Sequence, residues 1–217
     1  MQNLAFNRAT TDDVFRMHMN NMPTSWNSAY HGDNLDIISR LMYDMVRKHN
    51  SVIVMRMDIY YNASPYKIIE DKNPFVSDFC EKVAEYGEPH TDINYFWTRG
   101  FLSHATLRGC QYHILFLING DMVSDAMDVW RKASELWHAA FYENRRNGKI
   151  YLKKHGGADH QQGGIMLHKD FSPSNEHFNR CFHWVSYMAK LTDRDGYGLI
   201  FNSRGHSPIS KRASEGF

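Results

Sequence analysis

Apolar residues recur at helical spacing in DNLDIISRLMYDMVRKHN (33–50), where Leu35, Ile38, Leu41, Met42 and Met45 line one side, with aspartate early and basic residues late. That pattern predicts a helix whose charges complement its dipole. The period then changes to two. In SVIVMRMDIYY (51–61), Ile53, Met55, Met57 and Ile59 alternate with Val52, Val54, Arg56, Asp58 and Tyr60. The alternation predicts a half-buried strand whose second face carries an arginine and a carboxylate. PFVSDFCEKVAEYG (74–87) has proline at its start and glycine at its end, the punctuation of a helix. TDINYFWTRG (91–100) and CQYHILFLING (110–120) predict two successive strands, the second closed by an Asn-Gly turn.

The longest helical pattern spans 121–148, with Met122, Ala126, Val129, Trp130, Ala133, Leu136, Trp137 and Ala140 as its apolar stripe. A glycine-rich segment, HGGADHQQGG (155–164), leads to a short strand at 165–171. A last helix is predicted over 172–196 behind a Ser/Asn cap, and a last strand over 197–203. Residues 1–32 show no sustained period and are expected to form an N-terminal extension to a single domain over 33–217. Two adjacent central strands flanked by helices predict an α+β fold with an antiparallel or mixed sheet. The helices are expected on one face, leaving the other for a ligand.

Composition changes this picture little. With 42% hydrophobic and 23% charged residues, the chain has the balance of an ordinary globular domain. The N-terminus lacks a basic start followed by an apolar run, and no window approaches the length of a membrane span, so a cytoplasmic protein with no membrane partner is expected. Cys80, Cys110 and Cys181 have no paired or CxxC spacing and read as reduced, mostly buried thiols. The net charge of +1 hides an asymmetry, since residues 145–217 carry twelve Lys and Arg against six Asp and Glu. A basic third can contact phosphates or simply be solvated.

Candidate chemistry begins on the strands. Gln111 and His113 share one strand face, where a histidine and an oxygen ligand two residues apart can grip a cation. The other reading is a half-buried, hydrogen-bonded histidine. Asp58 is either an ion-pair partner of Arg56 or a third cation ligand, because a mid-strand carboxylate is costly to bury alone. In SYMAKLTD, Tyr187 and Lys190 lie three apart on one predicted helix face. A phenol beside an ammonium suits covalent attack on a phosphodiester, the cation steadying the charged intermediate. Tyr151, in KIYLKKHGG, is a second candidate nucleophile. Arg56, Arg99, Lys153 and Lys154 are the candidate DNA contacts. Trp97, Trp130, Trp137 and Trp184 read first as core and second as stacking surfaces for bases. The glycine-rich segment lacks a P-loop lysine, and no GxSxG elbow is present.

In order and spacing, VMRMDIYY, NYFWTRG…CQYHILFLING and WVSYMAKLTD resemble the inovirus-type replication proteins, also described as the YagK/YfjJ C-terminal domain family of prophages and mobile elements. The resemblance covers about residues 34–205. It implies the HUH Rep-like fold, a central antiparallel sheet of ferredoxin or RNA-recognition-motif type with flanking helices. It also implies a divalent metal held by a histidine pair and one further polar ligand, with His113 as the second histidine, Tyr187 as nucleophile and Lys190 as its companion; in this chain Mg²⁺ or Mn²⁺ would then fall to His113, Gln111 and Asp58. Such a protein nicks single-stranded DNA, stays joined to the 5′ phosphate and leaves a 3′ hydroxyl to prime rolling-circle replication. Two positions depart from the family pattern: Gln111 stands where a histidine is common, and Gly100 where a glutamate often follows Trp-x-Arg. Two functions are therefore expected to compete. One is an active nickase; the other is a degenerate Rep-fold protein that regulates or inhibits a host or defence protein.

Overall fold

The structure is a computed structural model that describes residues 32–61, 74–87, 91–101, 110–123, 125–143, 148–153, 164–169, 176–189 and 204–208. Their order is α1 (Gly32–Lys48), β1 (Ser51–Tyr61), α2 (Pro74–Gly87), β2 (Ile93–Phe101), β3 (Cys110–Asn119), α3 (Ala126–Glu143), β4 (Gly148–Lys153), β5 (Ile165–His168), α4 (Glu176–Ser186), a 3₁₀ turn (Tyr187–Ala189) and β6 (Arg204–His206). The strands form one six-stranded sheet in the order β4-β1-β3-β2-β6, and β5 pairs with β1 beyond the end of β4. Every pairing among them is antiparallel. The class is α+β.

The expectation of helices on one face is corrected, because helices cover both. Ile53, Met55, Met57 and Ile59 of β1 pack with Trp97 of β2 and Tyr112, Ile114, Phe116 and Ile118 of β3 against α2 and α3. Val52 and Val54 pack with Phe96, Leu115 and Leu117 against α1 and α4. The cause lies in the central strands. Successive residues of β1 and β3 are apolar along much of their length, so both faces must leave water, and the half-buried reading of β1 gives way to a strand buried on both sides.

Three boundaries also differ. The pattern over 121–148 divides: Met122 is 65% exposed and outside α3, which begins after the Asp125 side chain accepts a hydrogen bond from Met127 N at 2.8 Å. The same stretch then ends early, and KIYLK continues as β4 along the edge of β1. β6, at 204–206, follows the strand expected over 197–203, which lies outside the described residues together with residues 1–31, Lys154 and Lys190. In β6 only a hydrogen fits at Gly205, where a Cβ would stand 2.4 Å from Trp97 Nε1. Cys80 and Cys181 are free and buried, and burial pushes both thiols up. No described helix is long and apolar enough to cross a membrane.

Two carboxylates tie the α1–β1 turn to the sheet. Asp121 accepts from Asn50 N, Ser51 N and Ser51 Oγ, and these bonds hold its carboxyl below the ordinary range. Burial raises Asp92, but Lys48 and His49 more than offset it and the carboxyl is lowered overall. A depressed folded pKa contributes stability that is present above the unfolded carboxyl's ordinary value and is lost as pH falls through the folded one. Thermal unfolding should therefore show a falling midpoint below about pH 4. An Asp92→Asn, Asp121→Asn double variant should show a lower midpoint at pH 6 and a flatter acid limb. An unchanged acid limb would assign the loss to other carboxylates.

A candidate nucleophile site at the open end of the sheet

β1 and β3 pair so that Asp58 faces His113 across the ladder and Tyr60 faces Gln111. The period of two puts all four side chains, with Arg56, on the α4 side of the sheet. Beyond Val54 and Leu115 the side chains on this face turn polar, and Arg56 and Asp58 remain buried there.

The expected trio does come together. His113 Nδ1 lies 2.8 Å from Asp58 Oδ1. Gln111 Nε2 donates to Asp58 Oδ2 and to Tyr60 Oη, each at 2.9 Å, and Tyr60 Oη donates to Asp58 Oδ2 at 3.4 Å. An ionised carboxylate only accepts, so in that state Nδ1 is the donor of the His113–Asp58 pair and Nε2 faces away from it. Asp58 is 1% exposed, and Arg56 Nη2 stands 3.9 Å from its Oδ1.

Arg56 connects this cluster to the tyrosine. Its Nη1 donates to the carbonyl of Trp184 at 3.2 Å, in the last turn of α4. Its guanidinium lies 5.1 Å from the ring centroid of Tyr187, a cation–π contact. Burial pushes the Arg56 pKa down, while Asp58, Tyr187 and Tyr60 pull it back up. Tyr187 itself is 53% exposed. It opens the 3₁₀ turn, and the next residue is anchored by Thr98 Oγ1, which donates to Met188 O at 3.0 Å. Thr98 sits opposite His113 in register on β2. Sequence reasoning missed it, although a threonine within the apolar run NYFWTRG is the only signal it could have left.

Of the other candidates, Tyr151 borders the cluster and Arg99 leaves it. Tyr151, 46% exposed, lies opposite Asp58 on β4 and meets Tyr60 edge-on at 5.3 Å. Arg99 is buried on the opposite face, in register with Tyr112, and takes no place at this site. The backbone of Lys153 pairs with Arg56, and its side chain lies outside the described residues.

The Mg²⁺ or Mn²⁺ implied by the resemblance does not fit the cluster as it is arranged. Such cations take mostly oxygen ligands, with carboxylates prominent. Here both oxygens of Asp58 are engaged by His113, Gln111 and Tyr60, the Gln111 amide nitrogen is turned to the carboxylate, and a guanidinium stands alongside. What remains is His113 Nε2 and Gln111 Oε1, and neither is a carboxylate oxygen. Among the described residues, no group of three His, Cys, Asp or Glu side chains converges.

Comparison with protein-family models, curated proteins and solved structures finds no match. Function therefore has to be read from the site itself.

Proposed function

We propose that this chain is a Rep-like protein that cleaves single-stranded DNA through Tyr187, remaining joined to the 5′ phosphate. The observation that carries the reading is the placement of Tyr187: half exposed and held over the buried guanidinium of Arg56, which in turn pairs with Asp58. A nucleophile within reach of substrate and backed by a fixed cation is what phosphodiester attack requires, because negative charge grows on the phosphate as the bond forms. The strand order β4-β1-β3-β2, with α2 and α3 packed on one face, supports the ferredoxin-like βαββαβ unit that the Rep reading calls for.

The test is to incubate the purified chain with a random-sequence pool of end-labelled single-stranded oligonucleotides, with and without Mn²⁺, and to look on a denaturing gel for label at protein size. Wild type should form the adduct, Tyr187→Phe should lose it entirely, and Tyr151→Phe should keep it. Loss in Tyr151→Phe alone would move the nucleophile to β4.

A second reading has one observation in its favour. The self-satisfied cluster, with Gln111 at its edge, is also what a degenerate Rep fold would keep after losing its cation, leaving a binding protein that acts on a host or defence protein. Such a protein would form no adduct under any condition.

A further inference from the structure

We infer that the positive charge facing the reacting phosphate comes from Arg56 and that the reaction needs no divalent cation. This inference rests on Tyr187 being the nucleophile. Three observations carry it. Both oxygens of the carboxylate a cation would need already accept hydrogen bonds, from His113, Gln111 and Tyr60. A permanent cation already occupies the adjoining position, 5.1 Å from the Tyr187 ring. Among the described residues, Arg56 Nε is buried with no hydrogen-bond acceptor, although the residue is only 5% exposed. That atom has under 1 Å² of accessible surface, so a phosphate would meet the charge of the guanidinium rather than this N–H.

The division of labour follows. Asp58 holds Arg56 in place from one side and the Trp184 carbonyl holds it from the other, so the charge is fixed before substrate arrives. With little water around it, that charge is weakly screened. In the step itself, the Tyr187 oxygen forms a bond to phosphorus while the bond from phosphorus to the 3′ oxygen breaks. The phenol proton passes to water, and the departing oxygen takes one proton from water. Nothing is oxidised or reduced, and the extra negative charge of the five-coordinate phosphorus is met by the guanidinium.

The deciding experiment measures the rate of adduct formation by the full chain on the same oligonucleotide pool, in excess EDTA and in Mn²⁺. The expected result is equal rates within about twofold. Arg56→Met, checked for folding by circular dichroism, should lose roughly a hundredfold, the cost of removing one charge-stabilising donor. Arg56→Lys should recover part of that. An adduct that forms only with Mn²⁺ overturns the inference and leaves the nickase reading intact, as does a folded Arg56→Met that reacts like wild type. No adduct in either condition, with the protein folded, removes the nickase reading and this inference with it.

Discussion

Asp58→Ala is expected to destabilise the fold by about 3–5 kcal/mol, because removing one member of a buried ion pair leaves the other charge uncompensated. The Arg56 and Asp58 side chains are only 6% and 1% exposed, so neither can be rescued by water without movement of β1. The alanine also removes the acceptor for His113 Nδ1 and for Gln111 Nε2. Urea unfolding monitored by circular dichroism would measure the effect. Asp58→Asn should retain one acceptor oxygen and lose less. The combined Arg56→Met, Asp58→Leu variant should recover much of the loss, since apolar groups of similar volume need no compensation. If the double variant is no more stable than Asp58→Ala, the pair is not what makes the single change costly.

Trp137→Ala should cost a similar amount, about 3–5 kcal/mol, by a different route: a large cavity between α3, α2 and the sheet. Trp137 is 0% exposed, and its ring lies 5.1 Å from Phe75 and 5.2 Å from Phe79, centroid to centroid. These neighbours come from α2, so the tryptophan joins two helices over one sheet face. Trp137→Phe should cost clearly less, because a ring still fills most of the space. A loss below about 1 kcal/mol for the alanine would mean that the neighbouring side chains collapse into the gap. Together the two substitutions separate the polar end of the molecule from its apolar layer, and their effects should add, since they involve opposite faces of the sheet.

Local signals marked most elements well where period and length agreed. The alternation of SVIVMRMDIYY and CQYHILFLING marks two strands and assigns every side chain to a face, including Asp58 opposite His113 once the register is known. The helices 33–50 and 74–87 were legible for the same reason. β4 was not. Its residues GKIYLK carry lysines and follow directly on a helical pattern, and only pairing with the free edge of β1 makes them a strand. β6 is three residues long, too short for any period, and is held by its pairing with β2. Met122 completed an apolar stripe on paper but precedes the Asp125 cap that starts α3, and so remains in solvent.

The candidate site shows the same division. Residue types and spacing alone nominated Tyr187, His113, Gln111 and Asp58, because a carboxylate in mid-strand and a histidine in an apolar run are costly enough to stand out. Their roles were beyond the sequence. Arg56 read both as a DNA contact and as an ion-pair partner of Asp58; the structure sets it beside Asp58 and adds the Tyr187 ring over its guanidinium. Arg99 also read as a DNA contact, and one residue of alternation from Thr98 turns it to the opposite face.

Alone, then, the sequence determined the long helices and the central strands, which side chains share a face of those strands, and that a polar group interrupts an apolar sheet. Those properties follow from the backbone period and from the cost of burying charge, both local. Tertiary structure decided which strands are neighbours, that helices close both faces, and that Asp58 spends its oxygens on His113, Gln111 and Tyr60. Those outcomes depend on contacts between residues far apart in the chain, as with Arg56 and the Trp184 carbonyl, and no local period encodes such pairings.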